Sequence, residues 1–310
     1  MLKRKFFCHG KRISFDALRS GVYLSIKSLE RSMSHLKTFF LMAGLMVFLV
    51  VIGGLLGGQT GAIGCFAFAL VMNMFMYWNS GSLVLKMYKA QPVTESQAPR
   101  LYNSVKRMAA NAGLPMPKVA IIPMDQPNAF ATGRNPENAV VAATTGLINM
   151  VNDDELDGVM AHELGHVQNR DILISTIAAA MVGAITMLAS IAKFSAMFGG
   201  RGRGRGPHPA VLILLAIIAP IAAGLIQMMI SRNREYMADE AGARISGKPM
   251  ALASALQKLE NFSQNKPVDV NPSTAHMFIV NPLGGKHSMS NLFRTHPTTQ
   301  DRISRLRQMT

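Results

Sequence analysis

Hydrophobic and polar positions divide the 310-residue chain into blocks. From Thr38 to Leu85 no charged residue occurs, and Gly57-Gly58-Gln59-Thr60-Gly61 splits this stretch into two apolar runs. Each run can cross ~30 Å of hydrocarbon as a helix, so the pair predicts a helical hairpin with a tiny turn. A second uncharged pair covers Ile172 to Ala192 and Ala210 to Ile230, with Pro220 expected to kink the last helix. Four candidate transmembrane helices result. They divide the chain into a leader (1–37), a first hairpin (38–85), a polar segment (86–171), a second hairpin (172–230) and a second polar segment (231–310).

The polar segments carry shorter periods. Pro99 suits the first turn of a helix whose apolar residues Leu101, Val105, Met108 and Ala112 follow helical spacing, and Gly113 ends it. Lys118 to Pro123 and Asn138 to Thr144, rich in Val, Ile and Ala, read as strands, with a turn around Asn135-Pro136-Glu137-Asn138. Asn152 followed by Glu155 has the pattern of a capping box and opens a helix running toward Asp171. On that helix Leu156, Met160, Leu164 and Val167 form a narrow apolar stripe. The pattern predicts a predominantly α-helical integral membrane protein with a small α+β domain.

Charge gives this protein an orientation. Thirty-two Lys and Arg against seventeen Asp and Glu leave a net charge of +15, which calls for an anionic partner. Lys3, Arg4, Lys5, Lys11, Arg12, Arg19, Lys27, Arg31 and Lys37 all precede the first span, whereas its turn is uncharged. The positive-inside rule therefore places the N-terminus and both polar segments in the cytoplasm. The excess charge belongs beside the phospholipid bilayer, not on a nucleic acid. A basic leader of this length is too long for the n-region of a cleaved signal peptide. Lys193, Arg201, Arg203 and Arg205 run against the rule, so the second hairpin is either shallow or overrides it. The Arg-Gly stretch itself reads as a flexible linker. With only Cys8 and Cys65, there is neither a disulfide framework nor a cysteine metal site, and any metal must use His and carboxylate.

Such a set exists in His162-Glu163-Leu164-Gly165-His166. Histidines one helical turn apart project on the same side, as one zinc ion requires. Glu163 stands at the edge, placed to take a proton from water on the zinc without ligating it. A catalytic zinc takes three protein ligands and leaves one position open. The best third ligand is Glu235, in Ser231-Arg232-Asn233-Arg234-Glu235-Tyr236-Met237-Ala238-Asp239. Asp239, one turn later, can accept a hydrogen bond from a ligand histidine and fix its tautomer. His166 closely precedes the third span and Glu235 closely follows the fourth. Those spans are thus expected to be antiparallel neighbours meeting at the metal, ~10 Å from the bilayer boundary. Substrate backbone is expected to add antiparallel to an edge strand within Asn138 to Thr144. Two other readings fit less well: a scaffold's structural zinc would close with a fourth protein ligand, and a metal transporter would carry polar ligands inside its spans.

Together these residues resemble the HtpX-like membrane zinc metalloproteases, gluzincin-type enzymes related to the CAAX prenyl endopeptidases. The likeness rests on the first hairpin, Asn128-Ala129-Phe130-Ala131-Thr132-Gly133, the His162–His166 motif, the second hydrophobic pair, Glu235 to Asp239, and Thr295-His296-Pro297. The leader is longer than is usual for that family. The resemblance implies a cytoplasmic α+β zincin-like catalytic domain with one Zn2+ per chain on His162, His166 and Glu235. It implies Glu163 as the catalytic base and Asp239 as support for the metal-ligating residues. It further implies Asn128 beside the substrate strand and His296 facing the cleft, hydrogen-bonded to the scissile carbonyl or its oxyanion. From the residues themselves Asn128 is equally an ordinary turn residue and His296 an ordinary loop histidine. The implied activity is an endopeptidase of the bacterial inner membrane, acting on damaged or misfolded membrane proteins in quality control and stress response. Arg302, on a short helix that Thr298 and Asp301 can cap, is open to a salt bridge or a substrate contact. Asn265 to Phe293 is open to a substrate lid or a long surface loop.

Overall fold

The computed structural model describes residues 5–8, 11–178, 232–265, 277–280 and 297–310. Strands β1 (Lys5–Cys8) and β2 (Lys11–Ser14) pair antiparallel within the leader. Helix α1 (Phe15–Met87) comes next and is broken at Gly57 and Gly58, where φ is −138° and +58°. Glycine adopts the second of these without steric cost. The chain reverses at this break. A β-carbon on either Gly53 or Gly61 would overlap the other's carbonyl, and Asn73 Nδ2 donates to the Met42 carbonyl at 3.2 Å. Both pairs are centred on Gly57–Gly58, so the two arms run antiparallel about the break. Its second arm, Gly57–Met87, has a mean hydropathy of 1.6 and is long and apolar enough to cross a membrane; Met42–Val51 is a shorter apolar stretch. Val71, Met74 and Trp78 on this arm are more than half exposed. Of the second pair only residues 172–178 are described, as helix. The rest of that pair, the Arg-Gly loop and His296 lie outside the described residues.

Four further strands form one sheet in the order β3 (Gln91–Pro92), β4 (Lys118–Ile122), β6 (Val140–Thr144), β5 (Ala129–Thr132). β4 and β6 are parallel, and the two outer pairings are antiparallel. β4 and β6 lie within the two Val, Ile and Ala runs of the sequence, and a single 3-10 turn at Pro136–Asn138 precedes β6. The expectation that β6 offers an edge to substrate is corrected by this order. Both of its backbone edges are already used, by β4 and β5; among the described residues the outer strands are β3 and β5, and it is the edge of β5 that faces α4.

Side chains alternate across the sheet. Val119, Ala129, Ala131, Val141 and Ala143 join a core built on the later helices, while Ala120, Ile122, Phe130 and Ala142 pack with Met76, Val84, Leu173 and Ile177 of the apolar helices. One face thus serves the polar domain and the other the hydrophobic hairpin.

Helix α2 (Pro99–Ala112) begins on proline and ends on left-handed Gly113, as its sequence predicts. After the short α3 (Thr145–Met150) comes α4 (Asp153–Asn169), opened by the expected capping box: Asn152 and Glu155 each accept the other's backbone N–H at 2.9 Å. Helices α5 (Arg232–Ser246), α6 (Pro249–Asn265) and α7 (Thr299–Arg307) complete the described fold. α4 is its axle, packed against α2, α5, α6 and β5. The one-sided apolar stripe predicted for it is therefore only part of the picture, because every residue from Glu155 to Gly165 is buried. The acidic ones are paired. Ser254 and Lys258 donate to Glu155 at 2.6 and 2.7 Å, and Ser104 and Arg107 both donate to Asp157 at 2.7 Å. Burial opposes the charge on Glu155, but Lys258, Ser254 and the Asn152 amide hold its carboxyl below the ordinary value.

Where α4 meets α5, backbone touches backbone. A β-carbon on Gly165 would stand 3.0 Å from the Ala238 carbonyl oxygen, and one on Gly242 would stand 2.9 Å from the His162 nitrogen. Because the neighbouring atoms are main chain, Gly242→Ala must push the helices apart. We expect this variant to lose about 1–3 kcal/mol of stability and on the order of tenfold in metal affinity. Thermal unfolding and a chelator-competition titration check both, and an unaltered affinity would show that the contact does not set the metal pocket.

Candidate metal centre

The close approach of α4 and α5 brings three donors together. His162 and His166 project from α4 with their rings edge to face, centroids 4.8 Å apart. From α5, Glu235 places one carboxylate oxygen 3.8 Å from His162 Nε2 and the other 3.6 Å from His166 Nε2. All three ligand atoms lie within 4.8 Å of one another. Donors held at ~2.1 Å by one tetrahedral ion sit ~3.4 Å apart, so each Glu235 oxygen stands close to ligand spacing from one of the two histidines. The residues fit a metal ion, and the structure brings the three sequence-derived ligands to one point.

Each histidine is aimed from behind. Asp239 Oδ1 lies 3.0 Å from His162 Nδ1, a close charge contact that is not aligned as a hydrogen bond, and both oxygens of Asp171 lie 3.1 Å from His166 Nδ1. With Nδ1 beside a carboxylate, each Nε2 is the ring nitrogen left facing Glu235, the one that would ligate a metal once deprotonated. Asp239 is legible in the sequence, one turn after Glu235, but nothing in the helical spacing singles out Asp171. It reaches His166 because Arg170 adopts the left-handed conformation, φ +58°, which folds the chain back so that Asp171 N–H donates to the His166 carbonyl at 3.2 Å. The available signal was an acidic residue just beyond the second histidine.

Arg302 resolves in favour of a salt bridge. Its guanidinium, 1 % exposed, donates to both oxygens of Asp239 at 2.7 and 2.6 Å and to the Ile279 carbonyl at 2.7 Å. Burial opposes the charge on Asp239, yet Arg302 and then His162 hold its carboxyl below the ordinary value. The pair ties α7 to α5, the helix that carries Glu235.

Glu163 is 4 % exposed and accepts the Ala131 N–H at 2.9 Å, a direct link between α4 and the open edge of β5. Burial raises its pKa. His162 and His166 work against that rise and Glu235 adds to it, so the carboxylate is a stronger base than an ordinary glutamate. Asn128, also buried, has its amide engaged: Nδ2 donates to the Met277 carbonyl at 3.2 Å and Oδ1 accepts the Ile279 N–H at 3.1 Å. It thereby holds residues 277–280 as a wall of the cleft. The cleft measures about 470 Å³ including its open mouth, and Phe130, His166, Ile172, Arg234 and Phe278 are among its lining residues.

A buried carboxylate joining a His-His-Glu metal pocket to an open strand edge defines the class of metal-dependent peptidases. The chain belongs to Peptidase family M48, whose profile matches residues 95–310. It is HtpX-like: it is 54% identical over 276 residues to a "Protease HtpX homolog" of Desulfatibacillum aliphaticivorans, covering 88% of this chain and 89% of that protein. Homologues of the same description from Ralstonia pickettii (strain 12J) and Thermococcus sibiricus are each 55% identical, again over 88% of this chain and over 96% and 95% of their own. The fold is similar to that in the crystal structure of S. mikatae Ste24p, with a TM-score of 0.50, 20% identity, and coverage of 92% of this chain and 67% of that one.

In the metal-free protein burial opposes the charge on His166, but Asp171, then Glu235 and Glu163, push its pKa up to about 9. Below that value the imidazole holds a proton that a metal ion must displace. Metal affinity should therefore fall by about tenfold for each pH unit from 9 down to 6, and Asp171→Asn should weaken binding by about 10–100-fold while flattening this slope. Competition titrations at several pH values provide the check, and a pH-independent affinity would mean that His166 is already neutral.

Proposed function

We propose that this chain is a zinc-dependent endopeptidase that cleaves polypeptide chains of membrane proteins at the membrane surface. The observation that carries the reading is the hydrogen bond from Ala131 N–H to Glu163, because it sets the general base beside both the metal pocket and the strand edge. His162, His166 and Glu235 would hold the zinc, which when bound supplies Lewis-acid polarisation of the scissile carbonyl and a lowered water pKa. Glu163 removes the proton of the attacking water and returns it to the leaving amine. One of its oxygens is anchored by Ala131, which leaves the other to carry that proton. Substrate backbone adds to the open edge of β5, a mode that reads main chain more than side chains and suits a quality-control enzyme. His296 would hydrogen-bond the developing oxyanion. Asn128 acts through the wall that it holds.

The packing of the sheet against α1 supports a site close to lipid. With four spans and the positive-inside orientation, the active site faces the cytoplasm at a bacterial inner membrane, where damaged or misfolded membrane proteins are its substrates. In purified protein, Glu163→Gln should retain one zinc per chain and lose about 10²–10⁴-fold in kcat, while Glu235→Ala should lose the metal itself. Cleavage of an unfolded membrane-protein substrate, followed with and without a chelator, tests this. Wild-type turnover by the Gln variant would sink the mechanism.

A further inference from the structure

In an antiparallel pair only alternate residues exchange hydrogen bonds with the partner strand. Thr144 N–H donates to the Asn128 carbonyl at 2.9 Å, which puts residues 128, 130 and 132 on the β6 side of β5. The backbone groups of Ala129, Ala131 and Gly133 consequently point to the open edge. Two of these three outward N–H groups are engaged. Ala131 donates to Glu163, and Gly133 donates to Thr176 Oγ1 at 3.2 Å.

Thr176 is fully buried, and its hydroxyl also contacts Thr132 Oγ1 at 3.0 Å and donates to the Ile172 carbonyl at 2.6 Å. It sits in the second turn of the helix that opens at Ile172, and its hydrogen bonds go to Thr132, Gly133 and Ile172 rather than to His162, His166 or Glu235. The end of β5 is also held by α1. A β-carbon on Gly81 of α1 would stand 3.5 Å from Gly133 Cα, and the Arg134 guanidinium lies 4.2 Å above the Trp78 ring. Gly133 itself has φ +134°, and a β-carbon there would come 2.5 Å from the Asn138 carbonyl, so this exit admits no other residue.

We propose that Thr176 is a positioning residue for the substrate strand. By holding Gly133 N–H and Thr132 it closes the open edge after Ala131 and fixes where a bound polypeptide stops pairing relative to Glu163. Resting on the peptidase reading, this assigns substrate alignment to a residue of an apolar helix that contributes nothing to the metal pocket. The edge strand is thereby referenced to two apolar helices.

The test uses full-length, zinc-loaded protein in detergent and an unstructured fluorogenic peptide roughly ten residues long. Thr176→Val preserves shape and removes the hydroxyl; KM should rise about three- to tenfold, the worth of one net hydrogen bond, with kcat within about twofold. Zinc content and thermal midpoint should match the wild type, amide exchange over residues 128–134 should accelerate, and Thr176→Ser should restore KM. A wild-type KM and exchange rate in the valine variant would overturn the assignment, as would a fall in kcat accompanied by loss of zinc. An inert wild type would instead refute the peptidase reading on which the inference rests.

Discussion

The contact of α4 with α5 at Gly165 and Gly242 is the constraint on which the site depends. Two candidate ligands ride on one helix and the third on another, so the separation of the helices sets the size of the pocket. Side chains between the helices would hold them at the usual 8–10 Å between axes, with a compressible layer in the gap. Glycine removes that layer, so main chain bears on main chain and the separation has little room to vary. The buried pair of Arg302 with Asp239 adds a second clasp from α7, and Gly158 against Leu252 sets α4 on α6 in the same manner.

Buried ionisable groups around this contact stand in pairs. Arg302 faces Asp239, Asp239 faces His162, and Asp171 faces His166. Isolated charges at this depth would be expensive, and pairing each with a directed partner offsets the desolvation. The arrangement also means that no member acts alone. Removing Arg302 would leave Asp239 uncompensated next to a ligand, so an apparently remote helix at the end of the chain has a hold on the metal.

Much of this was legible in the sequence. The His162 to His166 spacing, the Asn152 cap and the Glu235 to Asp239 turn are local patterns whose geometry follows from the α-helix itself, and each is found where helical phase places it. The break at Gly57–Gly58 was equally local. The features that escaped depend on contacts between distant segments. β5 is only four residues long and buried on both faces, so it lacks the polar alternation that marks a strand. The misplaced substrate edge has the same origin, because without β5 the strand at 140–144 looks like the border of the sheet. Asp171 escaped for a different reason: its role requires a left-handed turn at arginine, a conformation sequence patterns rarely signal.

The sheet separates two environments with a single layer of backbone, and β5 contributes side chains to both. A strand in that position has no tolerance for a change in length. Adding or deleting one residue between Asn128 and Gly133 would reverse the facing of every later position in the strand, sending Phe130's neighbours into the wrong layer and turning the amide that meets Glu163 toward β6. Substitutions of similar size can accumulate along this strand, whereas insertions must collect in the turns on either side of it. Over evolutionary time the spacing of β5 should outlast its spelling.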